Sequence, residues 1–183
     1  FINKKIVAAL QSKNCNAIGI CGADGDVILA HKRQHPVLDY GFVGDVDAIN
    51  TDLISTLLNK NIAIVFAPIT HDQQGQLLNT NADTIAQEVA KGMSSIFDVD
   101  LIYSFEKTGV LLDANDDSTV IPEINSSYYQ QLKAKNLIFA GMIPKLDNSF
   151  AALKSGVGKV IIGKAENLPQ LLDGSAGTSI VNE

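Results

Sequence analysis

Apolar segments alternate along this chain with segments of helical spacing, and this alternation constrains the fold more than any other feature. The clearest apolar segment, IAIVFA at residues 62–67, is of the kind found in a strand covered on both faces. Other strand-like segments are AIGIC, VILAH, LDYGFV, DVDLIYSF and VGKVIIG. Helices are predicted over residues 2–13, 51–60, 84–96, 126–135 and 145–155. The sequence therefore predicts one domain of the α/β class, a three-layer α/β/α sandwich around a mostly parallel sheet.

Turn and cap residues predict several smaller features. In GADGD, the pair Asp24-Gly25 favours a hairpin turn. Thr51 or Asp52 is a candidate cap for the helix that follows. Residues 109–121, GVLLDANDDSTVI, have the pattern of a small hairpin with an acidic tip, and GTSIV near the end of the chain is predicted to be an edge strand.

Composition excludes several classes of partner. The 183 residues carry a formal net charge of −6 and have a pI near 5.0, whereas nucleic acids and anionic membranes attract clustered Lys and Arg. No apolar run is long enough to span a bilayer, and no signal peptide is recognised. The two cysteines, Cys15 and Cys21, are too few for a disulfide framework. These features favour a cytoplasmic protein that binds neither nucleic acid nor membrane.

Two patterns that could indicate other sites do not hold. GKVIIGKA, residues 158–165, nearly matches the phosphate-loop pattern G-x-x-x-x-G-K-[ST], but it ends in Ala165 and its middle favours a strand. His31 and His35 have the spacing of a helical metal site, but Pro36 and the flanking strand pattern disfavour a helix there. No metal site is predicted.

Asn79, Asn81 and Asp83 stand two residues apart ahead of a predicted helix. Short polar residues cap helices, and capping explains any one of the three. A cap needs only one residue, however, so three polar residues at this spacing could also bind a small polar ligand with an amide or a carboxylate. Asp83 could also accept a hydrogen bond from a lysine and hold it in place. The spacing leaves both interpretations open.

Lys145 occupies the first turn of another predicted helix, in AGMIPKLDNSFAALKSG at residues 140–156. A cation there faces the positive end of the helix dipole, which is unfavourable by up to about 1 kcal/mol. Either the lysine is simply solvated, or the backbone N–H groups, the dipole and Lys145 together bind an anion such as phosphate. YSFEKTGVLL, residues 103–112, reads as a buried strand followed by polar residues, a place where α/β sheets bind ligands, although an ordinary loop explains it equally well.

Together these segments resemble the N-acetyl-L-glutamate kinases of the amino-acid kinase superfamily. The motifs are DYGFVGDV at 39–46, LNTNADTIA at 78–86, FEKTGVL at 105–111 and GMIPKLDNSFAALKSGV at 141–157, and GTSIV matches the family's closing strand. The match covers essentially the whole chain. It implies the amino-acid kinase fold and a reaction of arginine biosynthesis. In that reaction ATP, carrying Mg²⁺ on its phosphates, phosphorylates the side-chain carboxylate of N-acetyl-L-glutamate or a related N-acyl-glutamate.

The resemblance also implies roles for individual residues. Lys145 matches the lysine that touches the transferring phosphoryl group, and Asp83 matches the aspartate that orders the catalytic lysines. Asn79 matches the asparagine that binds the acyl-glutamate, and Asn81 lies beside it. The residues implied at the nucleotide are Glu106, Lys107, Thr108, Gly109, Val110, Leu111, Leu137, Ile138, Phe139, Gly141 and Met142.

The chain departs from the family pattern at its start and before Lys145. It begins at Phe1 inside a helical pattern, and the family's amino-terminal portion, with a second catalytic lysine and a substrate-binding arginine, has no counterpart. Ala140-Gly141-Met142 stands where the family usually has Gly-Gly-Met. We therefore expect an N-terminally incomplete kinase domain, with residues 1 to about 60 from the acyl-amino-acid lobe and about 61–183 as the nucleotide-binding lobe.

The resemblance further implies a homodimer, formed through the region of the first helix, although core packing explains that helix's apolar face equally well. Two alternative functions stay open at this point. The chain could come from another member of the superfamily, or from a non-catalytic sensor of a nucleotide or an amino acid.

Overall fold

The computed structural model describes residues 1–182 and divides into two compact units, Phe1–Met93 and Ser94–Glu183. The helices of the first unit are α1 (Ile2–Gln11), α2 (Thr51–Asn59) and α3 (Ala82–Met93). Its strands are β1 (Ala17–Ile20), β2 (Ile28–Lys32), β3 (Gly44–Ile49), β4 (Ala63–Phe66), β5 (Ile69–His71) and β6 (Leu77–Asn79). Strands β1 and β4 pair in parallel. A second sheet has the order β3-β2-β5-β6, in which the central pair is parallel and both outer pairs are antiparallel.

The second unit is built around one mixed sheet. Its helices are α4 (Ser126–Ala134), α5 (Ile143–Lys154) and α6 (Leu168–Asp173), and its strands are β7 (Asp100–Phe105), β8 (Glu123–Ile124), β9 (Lys159–Lys164) and β10 (Thr178–Ile180). The strand order is β7-β9-β10-β8, with β9 and β10 antiparallel and the other two pairs parallel.

Burial explains why the sheet of the second unit forms. The apolar run of β9 is buried on both faces, as expected for a strand covered from both sides. Leu146 and Leu153 of α5 are buried as well, because they lie on one face of that helix. The predicted α/β class is confirmed. Within residues 1–182, the helices are all too short or too polar to cross a membrane.

The hairpin and strand predicted in the first unit are wrong. Asp24–Asp26 forms a short 3-10 turn with Gly25 at φ +62°, and β1 pairs with β4 instead of β2. LDYGFV is not a strand because Asp39 accepts a hydrogen bond from the Gly41 N–H (2.9 Å), which makes a turn, and Gly41 has φ +65°. Strand β3 begins after this turn, at Gly44.

Two predicted elements of the second unit also differ. GTSIV forms β10, which is an internal strand because it pairs with β9 on one side and β8 on the other. Residues 109–121 make a single antiparallel bridge, between Leu111 and Val120, instead of a hairpin. In that segment Asp113 and Asp116 accept hydrogen bonds from backbone N–H groups two residues ahead, which favours turns over strand pairing.

The cap of α2 and the start of α3 lie earlier in the chain than predicted. The cap of α2 is Asn50, whose side chain accepts a hydrogen bond from the Leu53 N–H (3.0 Å), and not Thr51 or Asp52. Helix α3 begins at Ala82 rather than residue 84 and ends at Met93. In both cases an asparagine immediately precedes the helix, the residue type best suited to that position.

Candidate functional site

The start of α3 explains two of the three polar residues at 79–83. The Asn81 side-chain oxygen accepts hydrogen bonds from the backbone N–H groups of Asp83 (2.8 Å) and Thr84 (3.3 Å), so Asn81 caps the helix. Asp83 lies in the first turn, half-buried, where a negative charge is favoured by the helix dipole. The structure therefore gives Asn81 a capping role, and ligand binding by either residue stays a prediction.

Asn79 has a different setting, because it is the exposed last residue of β6. Its backbone is fixed by pairing with Ile69 and by a hydrogen bond from its N–H to the Phe42 carbonyl (2.7 Å). The next residue, Thr80, is buried, and its hydroxyl contacts the hydroxyl of Thr70 (2.9 Å). This pair of buried hydroxyls holds the end of β6 firmly, so the Asn79 side chain projects from a rigid position.

A cavity of about 530 Å³ lies in the second unit, a volume typical of small-molecule sites. The structure brings to its wall Lys145 and all of the residues predicted at the nucleotide except Thr108 and Leu137. It also adds three residues that the sequence reasoning missed, Phe105, Ala114 and Asn115. The lining combines apolar side chains with two lysines and one carboxylate, Glu106, so it offers both apolar surface and charged groups to a ligand.

The loop at residues 106–111 is anchored by a buried threonine that sequence reasoning also missed. Thr178 of β10 is fully buried; its hydroxyl accepts a hydrogen bond from the Val110 N–H (2.8 Å) and donates one to the Ile121 carbonyl (2.7 Å). Gly109 is required beside it, because an added Cβ would lie 2.6 Å from a methyl carbon of Val120. The loop therefore presents a fixed backbone to the cavity. The segment GTSIV could have indicated this anchor, because Thr178 is a polar residue in a predicted strand.

The start of α5 carries Lys145 on the same cavity wall. Its first turn contains Pro144 and no acidic side chain, and Met142 at the N-cap position makes no side-chain capping bond. The Lys145 ammonium lies 5.3 Å from the ring centroid of Tyr103 and 5.9 Å from that of Phe105. A cation at the positive end of a helix dipole, facing a cavity, provides the charge needed to bind an anion.

Helix α4 braces α5 from outside the cavity. The Tyr129 hydroxyl donates a hydrogen bond to the Asp147 carboxylate (2.7 Å), and the Lys133 ammonium lies 3.6 Å from the same carboxylate. Burial of Tyr129, together with its bond to Asp147, raises the pKa of the Tyr129 hydroxyl above its ordinary value. The tyrosine therefore stays protonated and keeps donating to α5 throughout the neutral range.

The part of the chain that the structure describes contains no group of three or more His, Cys, Asp or Glu side chains arranged to hold a metal ion. The two cysteines are free thiols and half-buried. His31, which the sequence raised as a possible ligand, instead contacts Asp47 (2.7 Å) on the neighbouring strand.

Comparison with known proteins points to a single family. A sequence model of the amino acid kinase family matches residues 1–164. The acetylglutamate kinase of Bacteroides fragilis is 55% identical over 161 residues, which make up 88% of this chain and 62% of that protein. The acetylglutamate kinase of Phocaeicola vulgatus is 50% identical over 179 residues, 98% of this chain and 68% of that protein. The chain thus spans about 62% of the length of the Bacteroides relative.

A solved structure has a similar fold. The crystal structure of smu.665 from Streptococcus mutans UA159 matches with a TM-score of 0.78 at 30% identity, over 97% of this chain and 66% of that chain. The resemblance to acetylglutamate kinases indicated by the four motifs is confirmed by the two named relatives. The chain belongs to the amino acid kinase family.

Proposed function

We propose that the full-length protein transfers a phosphoryl group from ATP to the side-chain carboxylate of N-acetyl-L-glutamate, or of a related N-acyl-glutamate, in arginine biosynthesis. The observation that carries the proposal is the cavity of the second unit, with Lys145 at the start of α5 on its wall. The identity of 50–55% to two acetylglutamate kinases supports the choice of substrate.

The cavity residues suit the two ends of ATP. Val110, Leu111, Ile138 and Met142 provide apolar surface for the base. Lys145, with the N–H groups of the first turn of α5, provides positive charge for the phosphates. We propose that Lys107 supports the loop instead of the ligand, because its ammonium donates a hydrogen bond to the Ala114 carbonyl (2.9 Å). Mg²⁺ would be held mainly by the nucleotide phosphates, as is usual for this ion.

The chemistry needs positive charge more than it needs a base. A carboxylate acceptor is already ionised at neutral pH, so no general base is required. Phosphoryl transfer depends on alignment and on neutralising the charge of the transferring group. We therefore propose that Lys145 stabilises the transferring phosphoryl group, that Asn79 binds the acyl-glutamate and that Asp83 orders the catalytic lysines. The boundary near residue 60 between the acyl-amino-acid lobe and the nucleotide-binding lobe stays a prediction.

The decisive experiment is an assay of the full-length protein with ATP, Mg²⁺ and a panel of acceptors. Hydroxylamine would trap any acyl phosphate as a hydroxamate. We expect product with N-acetyl- or N-succinyl-L-glutamate and none with aspartate, carbamate or a nucleoside monophosphate, the acceptors that would indicate other family members. Binding of ATP without phosphorylation of any acceptor would overturn the proposal in favour of a sensor.

We also propose a cytoplasmic homodimer that uses the apolar face of α1. Ile2 is 72% exposed and Ile6 is 44% exposed, so this helix presents apolar surface. Light scattering of the full-length protein would measure the mass. An Ile6→Glu variant is expected to dissociate the dimer, whereas Lys5→Glu, also on α1, is the matched control for an added acidic residue.

A further inference from the structure

Two aromatic side chains of β7 lie against the Lys145 ammonium. Tyr103 and Phe105 are two residues apart, so they project from the same face of the strand. Their ring centroids lie 5.3 and 5.9 Å from the Lys145 nitrogen, within the distance over which a ring face attracts a cation. The pair forms an aromatic seat for this lysine.

The seat offsets a specific electrostatic cost. In the first turn of α5, the Lys145 charge faces the positive end of the helix dipole. The faces of the two rings carry negative charge density, which favours the ammonium. Tyr103 is only 4% exposed, and burial strengthens such an interaction because water screens it less. Phe105 and Lys145 both line the cavity, so one ring of the seat is part of the cavity wall.

We propose that Tyr103 and Phe105 are positioning residues that hold the Lys145 ammonium at the cavity wall in the orientation needed for phosphoryl transfer. This inference rests on the proposed function of the cavity. A lysine has a flexible four-carbon stem, and fixing its charge in advance removes a reorganisation step from the reaction. The seat thus acts through Lys145 and does not touch the reacting atoms.

Kinetics of matched variants of the full-length protein test the proposal. Tyr103→Leu and Phe105→Leu each remove one ring but keep apolar volume, and both together should lower kcat by roughly 3- to 30-fold, the range expected for loss of cation–π contacts. The KM for ATP should change less than kcat, because the loss is in alignment. Tyr103→Phe and Phe105→Tyr keep the ring faces and should retain kcat within about two-fold. Thermal melting of each variant would identify loss of folding. If the buried Tyr103→Leu variant is unstable, Phe105→Leu alone tests the proposal.

An NMR measurement detects the contact between Lys145 and the two rings without depending on enzyme activity. With ¹³C-labelled lysine, the ε-methylene protons of Lys145, assigned by their loss in Lys145→Arg, should be shifted upfield by the rings. The shift should persist in Tyr103→Phe and decrease in the leucine variants. An ordinary resonance position in the wild type, or leucine variants that fold and keep wild-type kcat, would overturn the proposal. If the protein phosphorylates no acyl-glutamate, the resonance alone still decides whether the seat exists.

Discussion

Helices α3 and α5 begin in opposite ways, although both starts carry residues of the proposed site. Helix α3 satisfies its own first turn, because Asn81 accepts two backbone hydrogen bonds and Asp83 places a negative charge at the positive end of the dipole. Helix α5 has no side-chain cap at Met142 and places Lys145 in its first turn. The first arrangement favours the helix by itself, whereas the second is one that a bound anion would favour.

This contrast separates stability from binding. A residue that completes a helix start should affect folding when it is replaced. A residue that works against the helix dipole should affect ligand binding or catalysis, with little loss of stability. Lys145→Ala and Asn81→Ala test this separation directly, and one further substitution in each unit tests a contact away from the helix starts.

The largest effect is expected for Lys145→Ala. Loss of one preorganised charge at a transferring group costs about 3 to 4 kcal/mol in the barrier, so kcat should fall by roughly two to three orders of magnitude. The free energy of unfolding should change little, because the unfavourable dipole contact and the favourable contacts with the two rings are removed together. Lys154→Ala, in the last turn of the same helix, is the control and should leave kcat unchanged. An unaltered kcat in Lys145→Ala would remove this lysine from the mechanism.

The next effect is expected at the anchor of the loop that faces α5. Thr178→Val keeps the side-chain volume but leaves the buried Val110 N–H and Ile121 carbonyl without their partner. Each such loss costs about 1–3 kcal/mol, so the two together should lower the free energy of unfolding in urea by roughly 2–6 kcal/mol, and ATP should bind more weakly. Thr178→Ser keeps the hydroxyl and is expected to restore most of both. A Val variant as stable as the wild type would contradict this anchoring role.

Asn81→Ala should be a mainly structural change of about 1 kcal/mol, as is usual for loss of a helix cap. Asn81→Ser retains a capping oxygen and should recover the stability. If the alanine variant keeps its stability but raises the KM for the acyl-glutamate, the α3 start is primarily a binding site and the contrast with α5 is wrong.

The smallest effect concerns a surface pair in the first unit. The Arg33 guanidinium donates to the Asp45 carboxylate (3.0 and 3.1 Å from Nε), and this hydrogen bonding lowers the pKa of Asp45. A lowered pKa gives stability that is present above the unfolded value near 4 and is lost as the pH falls through the folded value. Both side chains are largely solvated, so the contribution at neutral pH is at most about 1 kcal/mol.

Comparing Asp45→Asn with the wild type from pH 7 to pH 3 measures this contribution. The difference in unfolding free energy should be greatest at pH 7 and should disappear in acid. A difference that grows as the pH falls would show that the Arg33–Asp45 pair is not what stabilises the pairing of β2 with β3.

Much of the fold could be predicted because it depends on local pattern. The spacing of apolar residues located every α-helix of eight residues or more to within a few positions, and the apolar runs located β4, β7 and β9. The errors arose where pairing depends on distant segments. LDYGFV has strand-like composition, but the turn at Asp39 and Gly41 decides its conformation. Nothing in GTSIV itself indicated that β8 would pair with the second edge of this strand.

The candidate site shows the same division. Lys145 and the loop at residues 106–111 were recognisable, because a short run of consecutive residues identifies each of them. Phe105 and Asn115 on the cavity wall, and the buried Thr178 behind the loop, were not recognised. Phe105 and Thr178 gain their roles from contacts with segments far away in the chain.

The sequence by itself determined the α/β class, the family and the unusual cation in the first turn of α5, since periodicity, motif and residue type are local properties. Only the tertiary structure decided that Thr178 anchors the loop and that two rings of β7 face Lys145. The physical reason is that hydrogen bonds and ring contacts depend on distances of a few ångströms between segments, and packing of the whole unit sets those distances.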